Sequence, residues 1–383
     1  MSRLDLTGLD AGPAQVWGGV RLVPLLREQP VAGLRLHEEL LVEEEDPDTC
    51  PSPQCLSYVP HGLVASWPGS DDAPSAAYGS RLTGDGRPDL TMKVPHDNRR
   101  KPPRDQQRGP GGRVRFLPLH LALEGYFALH YGAPAAVWWE WSQQALREGL
   151  SPRAQDAYLG RPVRGLADAL RVFEILPGQC GVMVYVADSL AAAFVTPHPG
   201  DYRALHPSLV EDLYGELVHH HAFFGGPVRD FDARIRDTAH LRTVADLRAA
   251  TRAQARAWRE THDGLLADAL LSTPYAFDRV QSMGSFALWR FQPPYQRGGQ
   301  DQHIGEMITD HKGRVAYLKT FRLSESQVRR GHLLSLLASH GWHPGRTAEA
   351  LSTTPKELAR RINRAGFDSL VAHRAPGSLG QRA

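Results

Sequence analysis

The stretch GQCGVMVYVADSLAAAFVTPHPGD, residues 178–201, decides the fold class. Two apolar runs, Gly181 to Ala187 and Leu190 to Thr196, flank Asp188-Ser189 and read as a β-hairpin turning at those two residues. Directly downstream, a helix is expected from about Asp201 to His221. Leu205, Leu209, Leu213 and Leu217 recur there every four residues with Val210 and Tyr214 beside them, one apolar stripe to lay on the hairpin sheet. A sheet with helices packed on it is an α+β architecture, with a mixed or antiparallel sheet.

Working outward, VWGGVRLVPLL (16–26) and CLSYVPHGLVASW (55–67) mix β-branched and aromatic residues in the manner of short strands. Residues 83–112 carry Pro, Gly and charge without periodicity and are expected to form a mobile loop; the cluster Arg99, Arg100, Lys101, Arg104 and Arg108 within it is expected to be solvated. From Phe116 to Leu150 the pattern is helical, with Leu119, Leu123, Phe127 and Leu129 on one side and the aromatic block Val137 to Trp141 as core. A second long helix is expected from Thr243 to Leu271, its arginines interleaved with acids on a solvated face. SFALWRF, HIGEMITD and GRVAYLKTF, between Phe277 and Phe321, form an antiparallel meander that either completes the first sheet or stands alone. The expected organisation is an α+β unit over 1–225, a helical connector over 226–275, the meander over 276–323, a small all-α unit over 324–375 and a disordered tail over 376–383.

The 383 residues are 42% hydrophobic, enough for a sizeable core, and 44 basic against 42 acidic side chains leave a net charge of +2. Attraction to nucleic acid must therefore arise from local clustering. The N-terminus lacks the apolar core of a secretory signal and no run suits a membrane span, so a cytoplasmic protein without membrane attachment is expected. Cys50 and Cys55 have no second pair to complete a zinc set. The consecutive His219, His220 and His221 point in different directions and read as a helix C-terminal cap. No metal and no cofactor are expected.

The strongest local signal is C-terminal. SESQVRRGHLLSLLASH (324–340) opens on a Ser N-cap and carries Val328, Leu333, Leu336 and Leu337 on one side. After Gly341, HPGRTAEALSTTPKELARRINRAGF gives a short helix to Leu351, a turn at Ser352-Thr353, an N-cap at Thr354 with Pro355 behind it, and a stop at Gly366. On a helical wheel Lys356, Glu357, Arg360, Arg361, Asn363 and Arg364 share one arc, while Pro355, Leu358, Ile362 and Ala365 share the other. The first face suits a major groove, in which Arg reads guanine and Asn reads adenine; Arg346 and Thr347 are placed to touch phosphate. This segment resembles the Fis-type C-terminal motif of bacterial enhancer-binding regulators, with Ala348, Leu351, Leu358, Ile362, Gly366 and Phe367 in its positions. It departs at Ser352, where the family usually has Gly, and at Trp342-His343, where an Asn usually follows the Gly. The resemblance implies a helix-turn-helix, double-stranded DNA as partner and homodimerisation. A helical cap or dimerisation module with the same packing is the bland alternative.

VWGGVRLVPLL and the block GQCGVMVYVADSLAAAFVTPHPGDYRALHPSLVEDLYGEL (178–217) resemble a bacterial family associated with ADP-ribosylglycohydrolases and rhodanese-phosphatases, the ARPP type. That resemblance implies a setting in ADP-ribose or NAD-linked metabolism or defence and supplies no catalytic residues. The region has no Walker loop, GxSxG elbow or HExxH. His61, His120, Glu124 and Asp188 are the polar residues nearest apolar elements, and structural roles fit each. The leading expectation is a DNA-binding regulator or adaptor with an N-terminal sensing or interaction domain. The competing one is an accessory enzyme or binding protein for an ADP-ribose-type nucleotide whose C-terminal helices only dimerise it.

Overall fold

A computed structural model describes residues 2–36, 56–60, 62–65, 75–77, 81–82, 91–93, 115–117, 119–133, 136–138, 140–141, 173–228, 235 and 238–374. Along the chain come strands β1 (Asp10–Ala11), β2 (Gln15–Trp17), β3 (Val20–Leu26), β4 (Leu34–Leu36), β5 (Leu56–Val59), β6 (Leu63–Ala65), β7 (Ser75–Ala77), β8 (Arg81–Leu82), β9 (Thr91–Lys93) and β10 (Arg115–Phe116). Helix α1 (Leu119–His130) precedes the hairpin β11 (Gln179–Val186) and β12 (Ser189–Val195). Helices α2 (Pro199–Ser208), α3 (Gly215–Phe224), α4 (Val244–Thr261) and α5 (Asp268–Leu271) lead to β13 (Ala276–Met283), β14 (Phe286–Gln292), β15 (His303–Asp310) and β16 (Val315–Arg322). The chain closes with α6 (Glu325–Ser339), α7 (Pro344–Ala350), α8 (Pro355–Arg364) and α9 (Asp368–Arg374).

The architecture is α+β, built on a large antiparallel sheet. Among the described residues its strand order is β1, β3, β11, β12, β16, β15, β14, β13, with β2 also paired to β3. The meander does not stand apart: β16 pairs with β12, Ala192 opposite Phe321 and Val195 opposite Leu318, so residues 276–323 complete the sheet begun near the N-terminus. Short strands β4, β5 and β8 form one small sheet, and β6, β7, β9 and β10 another. Within the segment 83–112, expected to be a mobile loop, Thr91–Lys93 form a strand paired with β7; the rest of that segment lies outside the described residues. The Arg99 to Arg108 cluster, Cys50, Cys55, His61 and the 376–383 tail lie outside the described residues, as does the side chain of His120.

β11 and β12 form the expected hairpin, but the turn sits one residue earlier, at Ala187 and Asp188. Their φ angles of 48° and 63° are those of a type I′ turn, whose twist matches the flanking strands. Asp188 is held there by Arg21, 2.8 Å away, a turn aspartate rather than a pocket residue.

Both faces of the hairpin are covered, which is why the run from Gln179 to Val186 is buried at every position. On one face Val182, Val184, Phe194 and Tyr317 join a core with α1, α2, α3 and the C-terminal helices. On the other, Met183, Tyr185, Ala193 and Leu318 pack with Trp258, Leu270 and Tyr275. The helix expected over 201–221 is interrupted by a π-helical turn at Leu209–Leu213. The inserted residue rotates the downstream turns, so the stripe passes from Leu213 to Val218, which is fully buried, and Leu217 stays half-exposed. The helix also runs on to Phe224, which places the three histidines inside its last turns and corrects their reading as a terminal cap. A second π turn, His262–Leu266, breaks the 243–271 helix; within α4 only Trp258 is buried and Arg248, Arg252 and Arg256 are exposed.

The C-terminal helices share the sheet's core. Trp141 Nε1 donates to Gly366 O at 2.7 Å, and Arg374 donates to the carbonyls of Tyr131 and Gly132 at 2.8 and 2.7 Å. Gly331 of α6 lies against the Tyr295 ring, an approach that a side chain at 331 would block. No described helix is long and apolar enough to cross a membrane.

Candidate anion-binding face and cleft

The local devices that build α6 to α8 are those written in the sequence. Ser324 and Gln327 make a reciprocal capping box on α6. His343 caps α7 through Nδ1, and Thr354 caps α8 with Pro355 in its first turn. Between α7 and α8, Ser352 adopts φ 48°, the left-handed conformation that glycine takes without penalty. Gly366, at φ 73°, ends α8, and Phe367 N donates back to Ile362 O at 3.0 Å.

On α8, Leu358 and Ile362 are buried, whereas Lys356, Ala359, Arg360, Arg361, Asn363 and Arg364 are exposed. Pro355, assigned from the wheel to the packed side, is exposed as well, because the helix N-terminus projects beyond the core. Glu357 lies 3.5 Å from both Arg360 and Arg361, a weak exposed contact that leaves both guanidiniums available. Asn363 is engaged: its Nδ2 donates to Asp368 Oδ2 at 2.7 Å. Arg346 is exposed on α7. Thr347 is not: it is fully buried and its hydroxyl donates to His343 O at 3.1 Å, so it is unavailable to a phosphate, a correction to the sequence reading. Its position one turn into a helix packed on α6 is what buries it.

The same helix borders a cleft of about 490 Å³ that sequence reasoning missed. Arg361 and Arg364 line one side; Arg329, Arg330 and His332 of α6 line another; Arg297, from the loop after β14, stands at its rim. Leu333, Leu336, Leu351 and Ala365 supply apolar surface. At one end Arg330 pairs with Glu124 of α1 at 2.6 Å and stacks over Trp141 and Phe367, 5.2 Å from each ring centroid. The second carboxylate oxygen of Glu124 is buried without a hydrogen-bond partner among the described residues. Burial pushes the His332 imidazole below its ordinary pKa, and the nearby Arg297 charge adds to the shift. The Arg329-Arg330 pair was the available signal, but only the fold brings Arg297 and Glu124 to it.

A family model, ARPP-2, matches residues 4–284. The chain belongs to the ARPP-2 family. Neither the comparison with curated proteins nor that with solved structures finds a match. The ARPP-2 range takes in Glu124 and Trp141 but ends within a residue of β13, before β14, β15, β16 and the C-terminal helices, in which no Fis-type domain is detected. The ARPP-2 region is thus only part of the sheet, since β12 pairs directly with β16 beyond it.

A second ionisable cluster also straddles the end of the ARPP-2 range. Lys319 on β16 faces Glu306, its cross-strand partner on β15, and both are fully buried. The Lys319 Nζ lies 5.5 to 6.0 Å from the ring centroids of Phe321, Tyr126 and Phe116. Burial lowers its pKa to about 7, against the opposing pull of Glu306. Tyr317 Oη donates to Glu306 Oε1 at 2.9 Å. Rings and strands close over this cluster, whereas the arginine cleft opens to solvent, so the cleft is accessible to a partner and the cluster is not.

Proposed function

We propose that the protein is a DNA-binding regulator or adaptor whose C-terminal helices, of the Fis type, present α8 to a major groove. The observation that supports this is the division of α8: Leu358 and Ile362 anchor it while Lys356, Ala359, Arg360 and Asn363 form its outer face. The Ser352 turn, in glycine-like conformation, supports the same reading. In this role Arg360 reads a base edge and Lys356 and Arg346 take phosphates. Asn363 joins only on release from Asp368. A second copy of the chain supplies the second half-site, and the ARPP-2 part of the sheet is the sensing or interaction module.

With a net charge of only +2, binding rests on this local face. The test is fluorescence polarisation with a labelled DNA duplex between about 50 and 200 mM salt, the range over which phosphate contacts weaken binding steeply. Replacing Lys356 and Arg360 together by Ala should weaken binding and flatten the plot of log affinity against log salt by about one unit per lost phosphate contact. Identical affinity and slope in the double variant would refute the proposal.

A further inference from the structure

The cleft beneath α8 is chemically unlike the outer face. Its lining holds five arginines and one acid, Glu124, and that acid is already committed to Arg330. Among the described residues Arg297 and Arg364 have no ion pair and no side-chain hydrogen bond. Arg329 and Arg361 have only exposed contacts of 3.4 and 3.5 Å, to Glu325 and Glu357. Such pairs exchange readily for a better anion. Guanidinium groups converging from α6, α8 and the loop after β14 match the geometry of phosphate oxygens, which they grip in bidentate fashion. The apolar surface of Leu333, Leu336 and Leu351 has no use for an inorganic ion. At about 490 Å³ the space is that of a small organic ligand.

We propose that this cleft binds a phosphorylated organic molecule of nucleotide size, its phosphates on Arg297, Arg329 and Arg364 and its organic part on the leucines. Burial is the main cause of the lowered basicity of His332, and the Arg297 charge acts in the same direction. The site does not depend on the DNA reading. Two sources of phosphate are separable: a free nucleotide, which the proposal names, and the DNA backbone.

The experiment is calorimetric titration of the full-length protein with ADP and with pyrophosphate. Alongside it, polarisation with duplex DNA is run on three proteins: the unaltered chain, Arg297→Glu/Arg329→Glu and Lys356→Ala/Arg360→Ala. Both pairs are exposed at the surface, and a thermal melt checks that each variant is folded. ADP should bind more tightly than pyrophosphate. The Arg297/Arg329 variant should lose at least tenfold in ADP affinity, while the Lys356/Arg360 variant stays within twofold of the unaltered chain. Failure of ADP to bind at millimolar concentration would overturn the proposal, as would unchanged affinity in the Arg297/Arg329 variant or equal affinities for ADP and pyrophosphate. Loss of DNA binding in that variant without any ADP binding would assign the cleft to the DNA backbone instead. Loss of DNA binding only in the Lys356/Arg360 variant, with ADP binding intact there, supports both readings separately.

Discussion

Lowering the pH from 7.5 to 5 should remove much of the protein's stability, because three histidines are held neutral by burial. His303 on β15 is fully buried, both its ring nitrogens lack a partner among the described residues, and burial lowers its pKa to about 3. His130, at the end of α1, is half-buried as a residue, but both ring nitrogens are covered and have no hydrogen-bond partner among the described residues. Burial, with the Arg290 charge added, lowers it to about 3. His206 on α2, 2.9 Å from Tyr202 Oη, is lowered by burial to about 4. In the unfolded chain each titrates near 6.5, so below that pH the unfolded state binds more protons than the folded state. The stability each confers is complete above about pH 6.5 and is lost progressively as the pH falls towards the folded value. At pH 5 the linkage relation gives a loss of about 2 kcal/mol per histidine, or about 6 kcal/mol for three. That is comparable with the whole stability of a typical domain. Lys319 adds a smaller effect at the top of the window: with a folded pKa of about 7 its contribution rises from about pH 7 to about 10, so lowering the pH from 7.5 removes a further ~1 kcal/mol or less, nearly all of it above pH 6.5. The assay is urea unfolding followed by tryptophan fluorescence at intervals from pH 7.5 to 5, repeated on His130→Leu/His303→Leu. The unaltered chain should lose several kcal/mol and the variant about a third as much. A stability flat to within about 1 kcal/mol across that range, or a pH dependence unchanged in the variant, would refute the reasoning.

Two substitutions test the packing directly. Gly331→Ala should lower the melting temperature although alanine favours helix by about 1 kcal/mol, because its Cβ would run into the Tyr295 ring and overpacking costs about 1–3 kcal/mol; a raised melting temperature would show that α6 does not dock there. Lys319→Met should destabilise by about 3–5 kcal/mol in urea unfolding by stranding Glu306, and Lys319→Met/Glu306→Gln should recover most of it. A double variant no better than the single one would uncouple the two residues.

The strands are legible where their side chains declare one role. Residues 303–310 match β15 end to end, and the two apolar runs of 178–201 announce their hairpin. What the runs cannot convey is the pairing of β16 with β12, a contact between residues more than a hundred positions apart, since both strands are covered on each face and no periodicity marks a partner. The hairpin turn shifts because Asp188-Ser189 look like turn residues, while strand twist places Ala187 in the left-handed region. The π turns escape for a related reason. A stripe at every fourth residue describes 201–221 well until one inserted residue at Leu209–Leu213 passes the buried position from Leu217 to Val218.

At the candidate site, caps and stops are readable because they are local: Ser324, Thr354, Pro355 and Gly366 act through backbone groups within a few positions of themselves. The division of labour among α8's arginines is not, because a wheel treats a helix as if it stood alone. At roughly 100° per residue, Lys356, Arg360 and Asn363 centre on one direction, and Arg361 and Arg364 lie about a quarter-turn or more away. In isolation that is a single polar arc. Against α6 it divides, since Arg361 and Arg364 line the cleft together with Arg329 and Arg330, whereas Lys356, Arg360 and Asn363 do not line it. Like charges brought together in this way repel unless an anion lies between them, which is a cost the fold bears in the unliganded protein. Leu333 of α6 and Leu358 of α8 are buried in the same core, so the two helix backbones that carry these arginines are fixed by packing while the guanidinium groups stay at the surface.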